Sequence, residues 1–315
     1  MTQTKRGKSR GKSKFAKWWT KKTKAVVLPG LDGMTLYDLI ILFIVGIVKG
    51  TFSTRASAIA FSFFMALFPF LLFILNLIPF IDFIDDFQLE FLIFIDSMLP
   101  PETVSFFNDI FLDIAAKKRG GLLSFVFILS IILMTNGVNA IFTGFEFSYH
   151  TRVNRSIVRQ YLVALGVSLI LAILLLIMVV VTIYFTYILS DLKDVGVVAN
   201  EAIWIDISRY AVFVCMIYLI VAILYYSGTR EGRLSKFFSV GAFFSTFLII
   251  LMTFLFGIYI ENFSNYNELY GSIGALLILM VYIWINSNIL LLGFELNASL
   301  LKLRQKKDKQ TNQTL

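Results

Sequence analysis

Apolar and polar positions in this chain are separated along its length rather than interleaved. Long apolar stretches run from Ala56 to about Pro79 and over approximately 122–142, 161–189, 210–226, 237–260 and 271–292. Each is close to the roughly 20 residues that an α-helix needs to cross about 30 Å of hydrocarbon. The pattern predicts an all-α, polytopic membrane bundle of six transmembrane helices with interfacial amphipathic helices beside them. Pro69 falls inside the first span, where neighbouring helices can satisfy the carbonyl that proline frees.

Two shorter segments carry a weaker signal. Leu36 to Val48 is apolar but bounded by Asp38 and Lys49, too short between those charges for a span, and reads as an interfacial or re-entrant helix. After Pro100 and Pro101, Phe107, Ile110, Phe111 and Ile114 follow i, i+3, i+4, i+7 spacing with Asp109 and Asp113 off that face, the signature of an amphipathic helix lying on the membrane surface or capping the bundle. The chain thus divides into a basic tail (1–35), a membrane domain (36–301) and a second basic tail (302–315).

Charge then orients the bundle. Ten Lys or Arg fall in the first 24 residues, and the loops holding Arg152, Arg155, Arg159 and Arg230, Arg233, Lys236 share a side with them, as does the tail from Lys302 to Lys309. With Lys49 and Arg55, 23 of the 28 basic residues lie on that side, while 14 of the 20 acidic residues lie on the other. Lys and Arg accumulate in cytoplasmic loops, so both termini are expected in the cytoplasm. Lys117, Lys118 and Arg119 run against this pattern and abut a span. Trp18 and Trp19 among the N-terminal charges suit an anchor on an anionic leaflet. Gly11-Lys12-Ser13 imitates the end of a phosphate-binding loop, but the position that needs glycine is Arg6 and no strand precedes it.

Composition narrows the chemistry. Of 315 residues 58% are hydrophobic and only 15% charged, against about 25% charged in soluble domains. One cysteine, Cys215, excludes a disulfide framework. One histidine, His150, argues against a His-rich metal centre. No metal and no cofactor are expected, and no paired-carboxylate arrangement or nucleophile elbow is present. The +8 net charge is mostly an orientation signal, and nucleic acid is not an expected partner. Membrane lipids are.

Polar groups inside or beside spans are costly and require partners or an aqueous cavity. Arg55, Glu146 and Glu295 fall at similar depth near the basic side, which suggests that Arg55 pairs with Glu295, with Glu146 as a further candidate. Asn136 and Asn139 lie three apart on one helix face; Asn286, Ser287, Asn288 and Asn297 lie in or after the last span. Bonding between helices is the ordinary role of such amides, and lining a translocation path is the functional alternative. Gly271 and Gly274 around Ser272 suit close helix packing.

Taken in order, Arg55-Ala-Ser-Ala-Ile-Ala-Phe61 leading to Ala66-Leu-Phe-Pro69, Arg119-Gly-Gly-Leu-Leu-Ser124, Thr135-Asn-Gly-Val-Asn-Ala140, Tyr270-Gly-Ser-Ile-Gly274 and Leu292-Gly-Phe-Glu-Leu-Asn-Ala298 resemble the YihY/virulence factor BrkB family, from about residue 37 to 301. The resemblance implies a six-span protein of the bacterial cytoplasmic membrane, in a family historically labelled ribonuclease BN and linked to export or lipid handling. Glu146 departs from the asparagine that the family pattern leads one to expect there, which leaves Arg55, Glu295 and Asn297 as the better general candidates. Three readings stay open: movement or positioning of a lipid-like or anionic amphiphile, a non-catalytic scaffold or assembly factor, and a membrane-bound enzyme such as a tRNA-processing ribonuclease. The lack of a catalytic constellation favours a protein that is not an enzyme.

Overall fold

The computed structural model describes residues 23, 26–27, 35–38, 40–41, 51–77, 123–147, 155–194, 201–229, 236–262 and 272–311. Six long helices account for most of them: α1 (Thr51–Leu77), α2 (Leu123–Glu146), α3 (Ile157–Asp194), α4 (Glu201–Gly228), α5 (Val240–Asn262) and α6 (Ser272–Thr311). Each packs on the next in chain order and α6 returns to α1, so the helices close a ring; α2 also meets α4 and α6 across it. Successive helices run in opposite directions, so α1, α3 and α5 begin, and α2 and α4 end, at one end of the bundle. That end carries Arg55, Arg155, Arg159 and Lys236 and is called the basic end.

Five of the helices contain stretches long and apolar enough to cross a membrane: Phe127–Glu146, Ile157–Leu189, Ile203–Gly228, Val240–Ile260 and Leu276–Leu301. Helix α1 has 27 residues, and its apolar stretch within the described residues is the shorter Phe52–Leu67. The outer surface is apolar as a bilayer demands: Leu162, Ile170 and Ile173 of α3 and Phe243, Phe247 and Phe254 of α5 are exposed. In water such continuous surface would mark an interface; around a membrane bundle it is the face that meets lipid.

The helices outrun the hydropathic spans. Helix α4 begins at Glu201, although the apolar pattern starts only at Tyr210, because Asp206 and Arg209 interrupt the pattern without breaking the backbone hydrogen-bond ladder. Helix α6 likewise continues as one helix to Thr311, 40 residues in all, or about 60 Å at 1.5 Å per residue. The first ten residues of the expected basic tail, 302–311, are therefore helical. Residues 42–50, most of the Leu36–Val48 segment, the expected surface helix around Phe107–Ile114, the Lys117–Arg119 cluster and most of the N-terminal tail lie outside the described residues.

A closely packed aromatic cluster lies toward the basic end. Phe142 and Phe145 of α2 are fully buried with Ala56 of α1, Ala222 of α4 and Ala242 of α5. Phe145 stacks on Phe294 of α6 with ring centroids 4.2 Å apart, and both meet Tyr225 of α4 edge-on. Gly228 makes room for this cluster, since a Cβ there would stand 2.5 Å from Phe145 Cδ2. Farther along, Ser130 of α2 donates its hydroxyl hydrogen bond to the carbonyl of Pro69 in α1, binding the two helices together at the proline.

Candidate functional site

The expected polar residues separate into three groups. The first joins α1, α2 and α6. Arg55, in the second turn of α1, donates from Nη1 to the Gly144 carbonyl at 2.9 Å, one of the carbonyls left without an intrahelical partner in the last turn of α2. Its guanidinium lies 4.8 Å from the Phe52 ring centroid and within electrostatic reach of Glu295 on α6, whose side chain is 5% exposed. Gly144 permits the convergence: a Cβ there would stand 3.0 Å from Ile59 Cδ1 and 3.2 Å from Leu291 Cδ2. Arg55 and Glu295 are thus brought together. Glu146 has other partners.

The second group is the crossing of α5 and α6. Asn297 Oδ1 accepts from the Gly241 amide at 2.8 Å, and its Nδ2 donates to Ser239 Oγ at 2.8 Å. Ser239 in turn accepts from the Ala242 amide at 3.2 Å. Two of the orphan donors of the α5 N-terminus are therefore capped, one from its own chain segment and one from α6. The backbones touch here: a Cβ on Gly241 would lie 2.2 Å from the Gly293 carbonyl, and one on Gly293 1.8 Å from Ser245 Oγ. Tyr225 closes the contact, bonding Ser245 at 2.6 Å and the Leu290 carbonyl at 2.7 Å. Asn297 holds helices together, as amides in membrane bundles do.

The third group lies on α2. Asn136, Asn139, Thr143 and Glu146 succeed one another at spacings of three, four and three residues, which places all four within one narrow face of a helix turning 3.6 residues per turn. Helix α3 supplies their partner. The Gln160 amide, 7% exposed, turned so that its nitrogen faces the carboxylate, donates to Glu146 Oε1 and Oε2 at 3.1 and 3.0 Å, while its oxygen accepts from the Thr143 hydroxyl at 2.9 Å; Asn139 Oδ1 lies 3.0 Å away and bonds it only with the Asn139 amide turned as well. Glu146 also accepts from the Arg155 backbone amide at 3.1 Å, at the positively polarised start of α3. The buried Arg155 side chain reaches the Ser227 carbonyl at 2.7 Å, a cation at the C-terminus of α4.

Asn136 differs from the rest. It is exposed on the outer surface of α2, beside the exposed Ile132, near the middle of the Phe127–Glu146 apolar stretch. Among the described residues no group bonds its amide. Asn286 and Asn288, by contrast, donate to carbonyls four residues back in their own helix at 2.9 and 2.8 Å.

Gln160, Thr143 and Arg155 were not singled out by sequence reasoning. The three–four–three spacing that joins Thr143 to the asparagines was present in the sequence, whereas the contact with Gln160 depends on how α3 folds back on α2. Among the described residues no group of three or more His, Cys, Asp or Glu side chains is placed to hold a metal ion.

A bundle of long apolar helices whose outer surface is apolar, with a polar seam between α2 and α3 that ends at the exposed Asn136, defines a multi-pass α-helical membrane protein. The chain belongs to the virulence factor BrkB family, whose sequence profile matches residues 43–314. It is similar to the ribonuclease-like protein YfkH of Bacillus subtilis (strain 168), with 29% identity over 260 residues that cover 81% of this chain and 92% of the relative. No solved structure matches it.

Proposed function

We propose that this protein moves or positions an amphiphilic, lipid-like molecule across a bacterial cytoplasmic membrane, with the basic end and both termini in the cytoplasm. The observation that carries the reading is the polar stripe on α2. Ten residues separate Glu146 from Asn136, about 15 Å of helix at 1.5 Å per residue, which is half of the roughly 30 Å hydrocarbon layer. An amide held in hydrocarbon without a partner is costly. A lipid headgroup descending along the α2–α3 seam would pass Glu146, Thr143 and Asn139, which Gln160 already engages, and meet at the midplane Asn136, the exposed amide able to replace part of its lost hydration.

The basic tails, 1–35 and 302–315, would hold the protein against an anionic leaflet. The clamp of Arg55 with Glu295 and the Asn297 cap act as fixed structure in this scheme, keeping the basic end closed while lipid passes along the outside of α2. No chemical step is required, so the protein is not an enzyme, and nucleic acid is not its partner. The name of the Bacillus relative suggests a ribonuclease instead. Metal-dependent RNA cleavage draws on clustered His or carboxylate ligands, and this chain has one His in all.

Reconstitution separates these readings. Purified protein in vesicles with a fluorescent phospholipid in both leaflets should make the inner-leaflet probe accessible to an impermeant quencher faster than in protein-free vesicles. No acceleration, with or without a proton gradient, contradicts the proposal. Cleavage of a tRNA precursor by the same preparation, abolished by Glu295→Gln, would support the enzyme.

A further inference from the structure

On the opposite face of α2 from the stripe, the structure contains a cavity of about 260 Å³ bounded by α1, α2, α3 and α4. Phe63 and Ala66 of α1, Val138 of α2, Ser168 and Ala172 of α3, and Met216 of α4 represent its walls. Ser168 supplies the one polar side chain, and its hydroxyl is already committed: it donates to the Leu165 carbonyl at 2.9 Å and lies 3.3 Å from Thr135 Oγ1. Thr135 is equally engaged, donating to the Ile131 carbonyl at 2.7 Å. A buried water needs two to four polar partners, and a smaller apolar cavity of about 150 Å³ engineered elsewhere stays dry and binds benzene. This space therefore offers nothing to water, an ion or a headgroup.

Its depth says what surrounds it. The lining residues come from the middle of α1, α2, α3 and α4, within stretches of hydrocarbon-crossing length in the last three. Phe63 lines the cavity and is also 45% exposed, so the wall of the cavity is continuous with the lipid-facing surface. The neighbouring medium is acyl chain.

We propose that this cavity is a binding site for one hydrocarbon chain of a membrane lipid. The site is separate from the α2 stripe and does not depend on the reading of that stripe. An apolar chain entering past Phe63 gains close contacts on all sides that a void denies to its walls, and it requires no hydrogen bond there. The interior of the ring is then a chain site and not an aqueous pore.

The test uses a long-chain fatty acid bearing a diazirine near the middle of its chain, photolysed with the full-length protein in nanodiscs and mapped by mass spectrometry. Labelling should fall on Leu171, Leu175, Met216 or Ile220, residues of the cavity wall, and should saturate and be displaced by unlabelled fatty acid. Ala172→Phe, which fills the space, should lower the saturable labelling about tenfold, equivalent to about 1.4 kcal/mol of affinity. Ile173→Phe, on the lipid-facing side of the same helix, should leave it unchanged. If Ala172→Phe fails to fold, Leu171→Trp serves the same purpose from the opposite edge of the α3 wall. Labelling that does not saturate, that falls equally on Ile173 and Ile177, or that persists in a folded cavity-filled variant overturns the proposal.

Discussion

Gly293 and Gly166 are both helical glycines, yet their surroundings demand opposite outcomes from one added methyl group. At Gly293 a Cβ would meet Ser245 Oγ, Tyr225 Oη and the Gly241 carbonyl, the last at 2.8 Å. At Gly166 nothing lies within 4 Å. Gly293→Ala should therefore cost about 3 kcal/mol, at the upper end of ordinary overpacking, or prevent folding. Gly166→Ala should be neutral or stabilise by up to about 1 kcal/mol, as alanine does for glycine in a helix. Thermal unfolding of the purified protein in detergent measures both. Asn297→Ala removes a side chain that bonds both Gly241 and Ser239 and should lower stability by about 1–2 kcal/mol, the range of a lost helix cap, while leaving lipid movement per folded molecule unchanged. A loss of movement without a loss of stability would return Asn297 to the functional site.

Helix α2 holds the polar stripe because of two independent requirements on its sequence. Its inner face must fill the ring, which Phe142 and Phe145 do, and its outer face exposes Asn136 where lipid would favour leucine, with Asn139 and Thr143 half-buried at its edge against Gln160 of α3. The periodicity of that outer face was legible in the sequence from the asparagines alone. The place of Glu146 was not, because its partners, the Arg155 amide and Gln160, lie at the start of α3 and meet it only through the packing of α3 on α2. The same limit explains the helix ends: hydropathy detects where lipid stops, whereas α4 and α6 continue into charged sequence because the backbone ladder needs no apolar side chains. Hydration of the stripe gives the element-level test. In a Cys215→Ala background, Asn136→Cys and Asn139→Cys should react with a small water-soluble thiol reagent markedly faster than Ile128→Cys and Ile132→Cys, on neighbouring positions of the same outer surface. Equal rates at all four positions would show that no polar path reaches that depth.

The ring of six helices follows from the segregated hydropathy, and the motifs around Arg55 and Gly293–Asn297 fall where its helices converge. Arg55 lies one turn into α1, Gly144 in the last turn of α2, and Gly293, Glu295 and Asn297 where α6 meets its neighbours. The sequence suggested that Arg55 and Glu295 meet, and their elements do converge at the basic end; it did not suggest the crossing through Gly241 or the Tyr225 contact, which require the tertiary path. Orientation remains the property that charge alone proposes. Reporter fusions after Arg159 and Arg233 should report a cytoplasmic location, and fusions after Asp194 and Asn265 an external one, by the positive-inside rule. The inverse pattern would place the stripe in the other leaflet. If the stripe is the path, its midpoint must limit transit: the midplane is farthest from water on both sides, and Asn136 is its sole polar group there among the described residues. The direct measurement compares lipid exchange in vesicles containing equal amounts of wild-type, Asn136→Leu and Asn136→Gln protein. Loss of one hydrogen-bonding partner at the barrier, worth about 1–2 kcal/mol in a membrane interior, should slow Asn136→Leu by about tenfold, with Asn136→Gln retaining most of the rate. Wild-type acceleration that Asn136→Leu leaves unchanged would contradict a lipid path along α2.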